Sequence, residues 1–417
     1  MRPTPQASRR TATVAAIAVV VGATFTASAT GAYARPVRAV GVASSDPAAI
    51  KAATERPRVF ANGWSFGGPT NVLLDGSNLF VAGQATATEL NASTGALVRV
   101  LSSSAYQFNG PDAMVVDGPD LFVANAEAGA TDDGSVTELN ASTGALVRVL
   151  SAPVYQFSGP TAMATDGGDV FVLDTLGGRV TELNTSTGAL VRLVPPAWYG
   201  FSSPNAMVRH GDELYVLNSD QAEGVAVLNA SNGAAMGVLS RGFDFPEALA
   251  AYGDDLFVAS SNGSSVTEVN ASTGTLVRQL SGPSYRFDSL GPMVADKDDL
   301  FVASGDELCA SPPYGCPNFA VTEVNGDSGA VVRVISGGSF DYPDAMVVDG
   351  PNLFIANGCG CGKRRGSVTE VNARTGALVR VIAAPAYDFE GPAALAVDGP
   401  DLFVLNGDGN SVTELPR

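Results

Sequence analysis

Histidine is all but missing from this chain of 417 residues: His210 is the single copy. Schemes that need two or more imidazoles, as metal ligands or as a paired acid and base, are thereby excluded. Cysteine is scarce too, and its four residues, Cys309, Cys316, Cys359 and Cys361, fall in one stretch, so the fold is not built on a disulfide framework. Positive charge is outnumbered, with 24 Lys and Arg against 42 Asp and Glu, giving a formal charge of -18. Such a surface repels phosphate backbones and anionic lipid, which removes nucleic acid from the expected partners. What remains is 45 % hydrophobic residues, 47 Gly, 25 Pro and only 16 % charged residues. That describes short apolar strands divided by turns, an all-β chain.

The first residues carry Arg2, Arg9 and Arg10, then an uncharged apolar run from Thr11, then the small-residue site Ala32-Tyr33-Ala34. This predicts an export signal over residues 1–34, cleaved after Ala34, and a protein that works outside the cell. A retained anchor, which would hold it at the cell surface, is the second reading of the same stretch, and its many Thr, Ser and Gly oppose it. The pair Arg9-Arg10 hints at twin-arginine export, although Thr11, Ala12 and Thr13 lack the bulky apolar residues of that route. Residues 35–57 read as a linker, in which Asp46-Pro47 could cap a short helix through Ala48 to Glu55.

From Arg58 onward one unit of about 44 residues recurs. Its clearest copy, starting at Tyr106, predicts four strands: Ala113 to Val116, Leu121 to Ala124, Val136 to Leu139 and Ala145 to Leu150. Four antiparallel strands joined by short turns make a propeller blade, which cannot bury both faces alone and must stack around an axis. The second strand is marked each time by an apolar-aromatic-aliphatic triplet, centred on Phe80, Phe122, Phe171, Tyr215, Phe257, Phe301, Phe354 and Phe403. The reading is an eight-bladed β-propeller over residues 58–417, monomeric, with each aromatic packed between blades.

The last copy ends after its third strand, leaving an edge to be paired. Arg58-Val59-Phe60 stands where a fourth strand should be, so the beginning of the repeat region is expected to complete the final blade. Third strands carry Glu89, Glu138, Glu182, Glu268, Glu323, Glu370 and Glu414, and fourth strands carry Arg99, Arg148, Arg192, Arg278, Arg333 and Arg380. The fourth blade has Val227 and Gly237 instead. Joint loss predicts pairing of Glu with Arg across adjacent strands, as surface ion pairs, with Glu414 left to pair with Arg58.

In that clearest copy Pro111 precedes the first strand, Asp117-Gly118 follows it, and Phe122-Val123-Ala124-Asn125 forms the second. This repeat resembles the NHL and YVTN class of β-propeller repeats, here in a bacterial, exported setting. The resemblance implies the fold and leaves function open, because the class holds scaffolds, surface proteins, lyases and lactonases. Lyases of the class generally use several histidines, which this chain lacks.

Turns after first and third strands are short and repetitive and lie on one face of the disc, whereas the loops after second strands and the links between blades lie on the other and vary. Around the central mouth of the variable face the residues after the repeat proline are expected: Thr70, Asp112, Thr161, Asn205, Glu247, Gly291, Asp344 and Ala393. Asp112, Glu247 and Asp344 suit a hard cation such as Ca2+, and they suit hydration of a rim equally; no cofactor is otherwise expected. Asn125, Asp174, Asn218, Asn357 and Asn406, each ending a second strand, read as turn formers, and so do the first-turn aspartates such as Asp117. Asn91-Ala92-Ser93 and its copies match a glycosylation acceptor but coincide with a tight turn in every blade. His210 sits at a first turn, away from the variable loops.

Export favours disulfides, with Cys309 to Cys316 the first choice, Cys359 to Cys361 or a cross-link between the two loops as alternatives, and a four-thiolate zinc site as a third. Lys363, Arg364 and Arg365 form the only basic cluster of the repeat region. Two functions follow. The first is a non-catalytic binding scaffold that holds an extracellular protein or polysaccharide on the loops of blades two, four, six and seven. The second is a cation-dependent hydrolase or lyase centred on Asp112, Glu247 and Asp344.

Overall fold

The computed structural model describes residues 57–60, 66–126, 134–151, 153–195, 204–218, 224–239, 243–260, 263–296, 298–305, 319–337, 340–358, 365–383, 385–398 and 401–416. The expected leader, the linker up to residue 56, all four cysteines, Lys363 and Arg364 lie outside them. Among the described residues no helix is long and apolar enough to cross a membrane.

The chain forms eight four-stranded antiparallel sheets, the blades of a propeller. In seven of them consecutive strands pair in chain order. The eighth joins Pro392–Asp398, Asp401–Asn406 and Ser411–Pro416 to Arg58–Phe60 as its outer strand, with Arg58 opposite Glu414 and Phe60 opposite Val412. The ring therefore closes as the repeat pattern requires. Blade two runs Pro111–Asp117, Asp120–Asn125, Ser135–Asn140 and Leu146–Leu150. Its first three strands outrun the predicted ones because backbone pairing continues past the apolar residues into flanking Pro, Asp and Asn. Short 3-10 turns at Ser104–Tyr106 and Pro385–Tyr387 precede blades two and eight.

Alternation along the second strand supplies the core. Leu121 and Val123 face blade one, against Phe80, Ala82 and Leu101, while Phe122 faces blade three, against Val170, Val172 and Leu183. All eight second-strand aromatics are buried this way, none exposed by more than 2 %. Each is worth roughly 1.5–3 kcal/mol of burial that exists only because a neighbouring blade is present. First strands stand side by side around the axis and fourth strands form the circumference.

The Glu and Arg pairing holds in register, Glu138 opposite Arg148 and likewise in the other blades. Its character differs from expectation, because these are not surface pairs. Glu89, Glu138, Glu182, Glu268, Glu323, Glu370 and Glu414 are all buried. The arginine of each described pair from blades one to seven lies 2.5 to 3.1 Å away. The reason is the next blade. Arg99 Nη2 also donates to Ser142 O in the third turn of blade two, and Arg148, Arg192 and Arg278 reach Ser186, Ser231 and Asp327 in the same way. That turn covers the glutamate. Its glycine is required twice over: Gly144 has φ +68°, and a Cβ there would come within 2.7 Å of Arg99 Cδ. Arg58 makes the corresponding contacts to Glu414 and to Thr94 O, so the closing strand is stapled onto blade one.

Burial outweighs the attraction. At Glu138, Glu182 and Glu323 the oxygen nearest the arginine makes no aligned hydrogen bond. Their carboxyls are pushed up to about 7 by loss of solvent, with Arg148, Arg192 and Arg333 pulling the other way and nearby aspartates such as Asp120 adding to the rise.

Candidate functional site

The mouth of the central channel on the variable-loop face is built from the first strands. In blade two Pro111 pairs with Asn125, and the next paired residues are Ala113 and Ala124. Asp112 is therefore the extra residue of a β-bulge, turned out of the ladder. Thr161, Asn205, Glu247, Asp344 and Ala393 are bulged in the same register, and Gly291 with Pro292 makes a wider irregularity in blade six. Thr70 lies just outside its strand. Thus one backbone device, repeated in six blades, presents Asp, Thr, Asn, Glu, Asp and Ala in turn.

The structure does not gather these side chains into one centre. Asp112, Glu247 and Asp344 belong to blades two, five and seven, and among the described residues no three His, Cys, Asp or Glu side chains stand together as a metal-binding group. Thr70 Oγ1 donates to Pro111 O of the next blade, and the Thr161 and Thr175 hydroxyls bond each other. Asp344 behaves differently. It is exposed, yet protein stands close on one side: a Cβ on Gly358 would lie 2.3 Å from its Oδ2. Burial pushes its carboxyl up to about 6, and the Asp408 carboxylate adds to the rise.

One step outward, the residues ending the second strands are buried struts. Asn125 Nδ2 donates to Ser135 Oγ and Thr137 Oγ1 of the third strand, and the Thr137 hydroxyl donates to Tyr106 O of the preceding link. Asn357 and Asn406 repeat the bonds to serine and threonine. Asp174 instead accepts from the backbone N–H groups of Ser158, Gly159 and Gly177. These residues hold the loop face in shape, a wider role than the turns foreseen for them.

Blade four breaks the rule. Where blades two, five, seven and eight place serine and threonine it has Gly224 and Ala226, so Asn218 is fully buried with neither Oδ1 nor Nδ2 bonded. Asn205 Oδ1, on the neighbouring strand, also lacks a partner. The clue was present in the letters GVAVLN against SVTELN, but only the buried geometry gives it meaning. His210 ends the first strand of blade four opposite Glu213, on the short-turn face as expected. In the third turns Asn140 Oδ1 accepts from Thr143 N and its hydroxyl, so the Asn-Ala-Ser motif is turn chemistry. Arg365 Nη1 donates to Pro385 O.

A family model described as outer membrane protein assembly factor BamB matches residues 41–194, which end with the last strand of blade three. The chain is similar to BamB. The NHL and YVTN part of the resemblance is not supported. Its proline, aspartate turn and aromatic-valine strand are what any blade with this inner strand and hairpin demands, so they do not tell propeller families apart. No curated protein is significantly similar in sequence. Among solved structures, BamB from Moraxella catarrhalis superposes with a TM-score of 0.61 at 14 % identity over 86 % of this chain and 96 % of its own. The computationally designed Ika8 protein gives 0.67 at 14 % identity, covering 87 % and 100 %. Hydrazine synthase of Kuenenia stuttgartiensis gives 0.51 at 16 % identity, covering 88 % and 99 %. At these identities the likeness is one of fold.

Proposed function

We propose that this propeller is a non-catalytic, exported interaction scaffold that holds an extracellular protein or polysaccharide on its variable-loop face. The observation that carries the reading is the bulge ring. A repeated bulge carries Asp112, Asn205, Glu247 and Asp344 in separate blades. Spread donors and acceptors suit recognition of an extended surface better than chemistry on one bond. The likeness to a protein described as an assembly factor favours the same reading.

The cation-dependent hydrolase or lyase reading asks Asp112, Glu247 and Asp344 to share one ion, which their placement on blades two, five and seven disfavours. The test is capture from the native secretome on immobilised full-length protein, alongside a variant carrying Asp112→Ala, Asn205→Ala, Glu247→Ala and Asp344→Ala. A partner retained by the parent and lost by the variant is expected. Capture unaffected by the substitutions, or a calcium-dependent rise in melting temperature with chelator-sensitive hydrolysis, would count against the scaffold.

A further inference from the structure

The short-turn face is not chemically uniform. First-turn aspartates such as Asp117 recur as hairpin chemistry, but blades five and six add carboxylates where no turn needs them. Asp254 and Asp298 occupy the place of Pro119, as Asp212 does in blade four, and Asp327 of blade six alone adds a carboxylate at the place of Ser142. With Asp255, Asp296 and Asp299 they form a strip across two blades. Asp298 and Asp296 help burial raise the Asp299 carboxyl, so these charges feel one another. The cations nearest by register are engaged, Arg278 with Glu268 and Arg333 with Glu323. Lys297 lies between the aspartates in sequence and outside the described residues.

A second feature, shared with other blades, meets the acidic strip here. Fourth strands begin on this face with exposed apolar residues in other blades too, Leu97 with Val98 and Leu378 with Val379 among them; beside the acidic strip Leu276, Val277 and Val332 stand 52 %, 45 % and 43 % exposed, at the foot of the circumference. Val277 and Val332 are bulge residues, skipped by the register between Glu268 and Val269 and between Glu323 and Val324. A bulged edge resists pairing with another strand, so these side chains are offered as surface rather than as a sheet edge. Arg278 Nη2 donates to Asp327 O, and Tyr252 Oη donates to Asp327 Oδ1, which fixes the apolar foot of blade five beside the acidic turn of blade six.

We infer that the short-turn face of blades five and six docks a cationic segment that carries large apolar side chains. Charge complementarity selects the occupant: a second copy, or any other acidic surface, is repelled by the strip, whereas a basic segment is drawn to it and buries Leu276, Val277 and Val332. The inference concerns the face opposite to the bulge ring and stands or falls separately from the scaffold reading.

The experiment is fluorescence anisotropy of full-length protein with a short labelled peptide of alternating lysine and leucine, beside lysine-serine and glutamate-leucine peptides of equal length. The lysine-leucine probe binds, and both controls bind at least about tenfold more weakly. A variant carrying Leu276→Ser, Val277→Ser and Val332→Ser, with its urea midpoint checked, loses at least about tenfold in affinity. Asp298→Asn with Asp327→Asn loses affinity and flattens the salt dependence. Absence of binding, equal binding by the serine rim variant, or equal binding of the glutamate-leucine peptide overturns the proposal. So does a protein dimer that the rim substitutions dissolve, because a second copy would then be the occupant.

Discussion

Replacing Arg148 by Met should cost far more than a surface arginine would, and the cost should depend on pH. The substitution leaves Glu138 buried beneath the third turn of blade three without its cation. Removing one partner of a buried pair costs about 3–5 kcal/mol when the other must stay charged. Glu138 can escape part of this by taking a proton, since its carboxyl titrates near 7 even with Arg148 present. The lost bond from Arg148 Nη2 to Ser186 O, 3.1 Å long, cannot be recovered that way and is worth roughly 1–2 kcal/mol. We therefore expect a loss of about 3 kcal/mol near pH 8, falling to about 1–2 kcal/mol near pH 5. The double variant Glu138→Val with Arg148→Met should be milder at pH 8 than the single one, because blade four already folds with Val227 and Gly237 at these positions. Urea denaturation followed by tryptophan fluorescence and circular dichroism, comparing midpoints at the two pH values, measures all of this. A single-variant loss under about 0.5 kcal/mol, or a double variant as damaged as the single at pH 8, would refute the buried-pair reasoning.

Three further outcomes follow from the geometry. Glu138, Glu182 and Glu323 titrate near 7 in the folded ring, above an unfolded glutamate, so the folded chain holds more protons between roughly pH 4.5 and 7. The melting temperature should accordingly fall as pH rises through 7, and a rise over that range in differential scanning calorimetry would contradict the assignment. Ala226→Thr gives Asn218 the hydroxyl its counterparts enjoy and should stabilise by about 1 kcal/mol, whereas Gly224→Ser should destabilise, since a Cβ there meets Leu239 O at 2.0 Å. Both are read as urea midpoints. Deleting residues 58–60 strips the outer strand from blade eight and should lower the melting temperature by several degrees; an unchanged melting curve would mean that the strand closes nothing.

How much of this was legible beforehand depended on repetition. Blade number, strand order and the pairing of Arg58 with Glu414 could be read because eight copies differ enough to show which positions vary together. Burial could not be read from charge. Glu138 looks like a surface residue until the third turn of the following blade is placed over it, and that placement depends on how blades stack. Bulges were equally hidden: Asp112 and Val277 owe their direction to one skipped register step, which an alternating pattern does not announce. The letters assign Asp112, Glu247 and Asp344 each to a blade without saying how wide the ring stands. Asn218 reads as a turn former in the letters because the loss of its two hydroxyl partners lies in another strand.

The closing strand also decides how the disc can be mounted. Arg58 sits at the perimeter of blade eight, beside the third turn of blade one. The described chain consequently begins at the rim of the wheel and not at its hub. A junction at that point touches neither the hub nor the flat sides of the wheel.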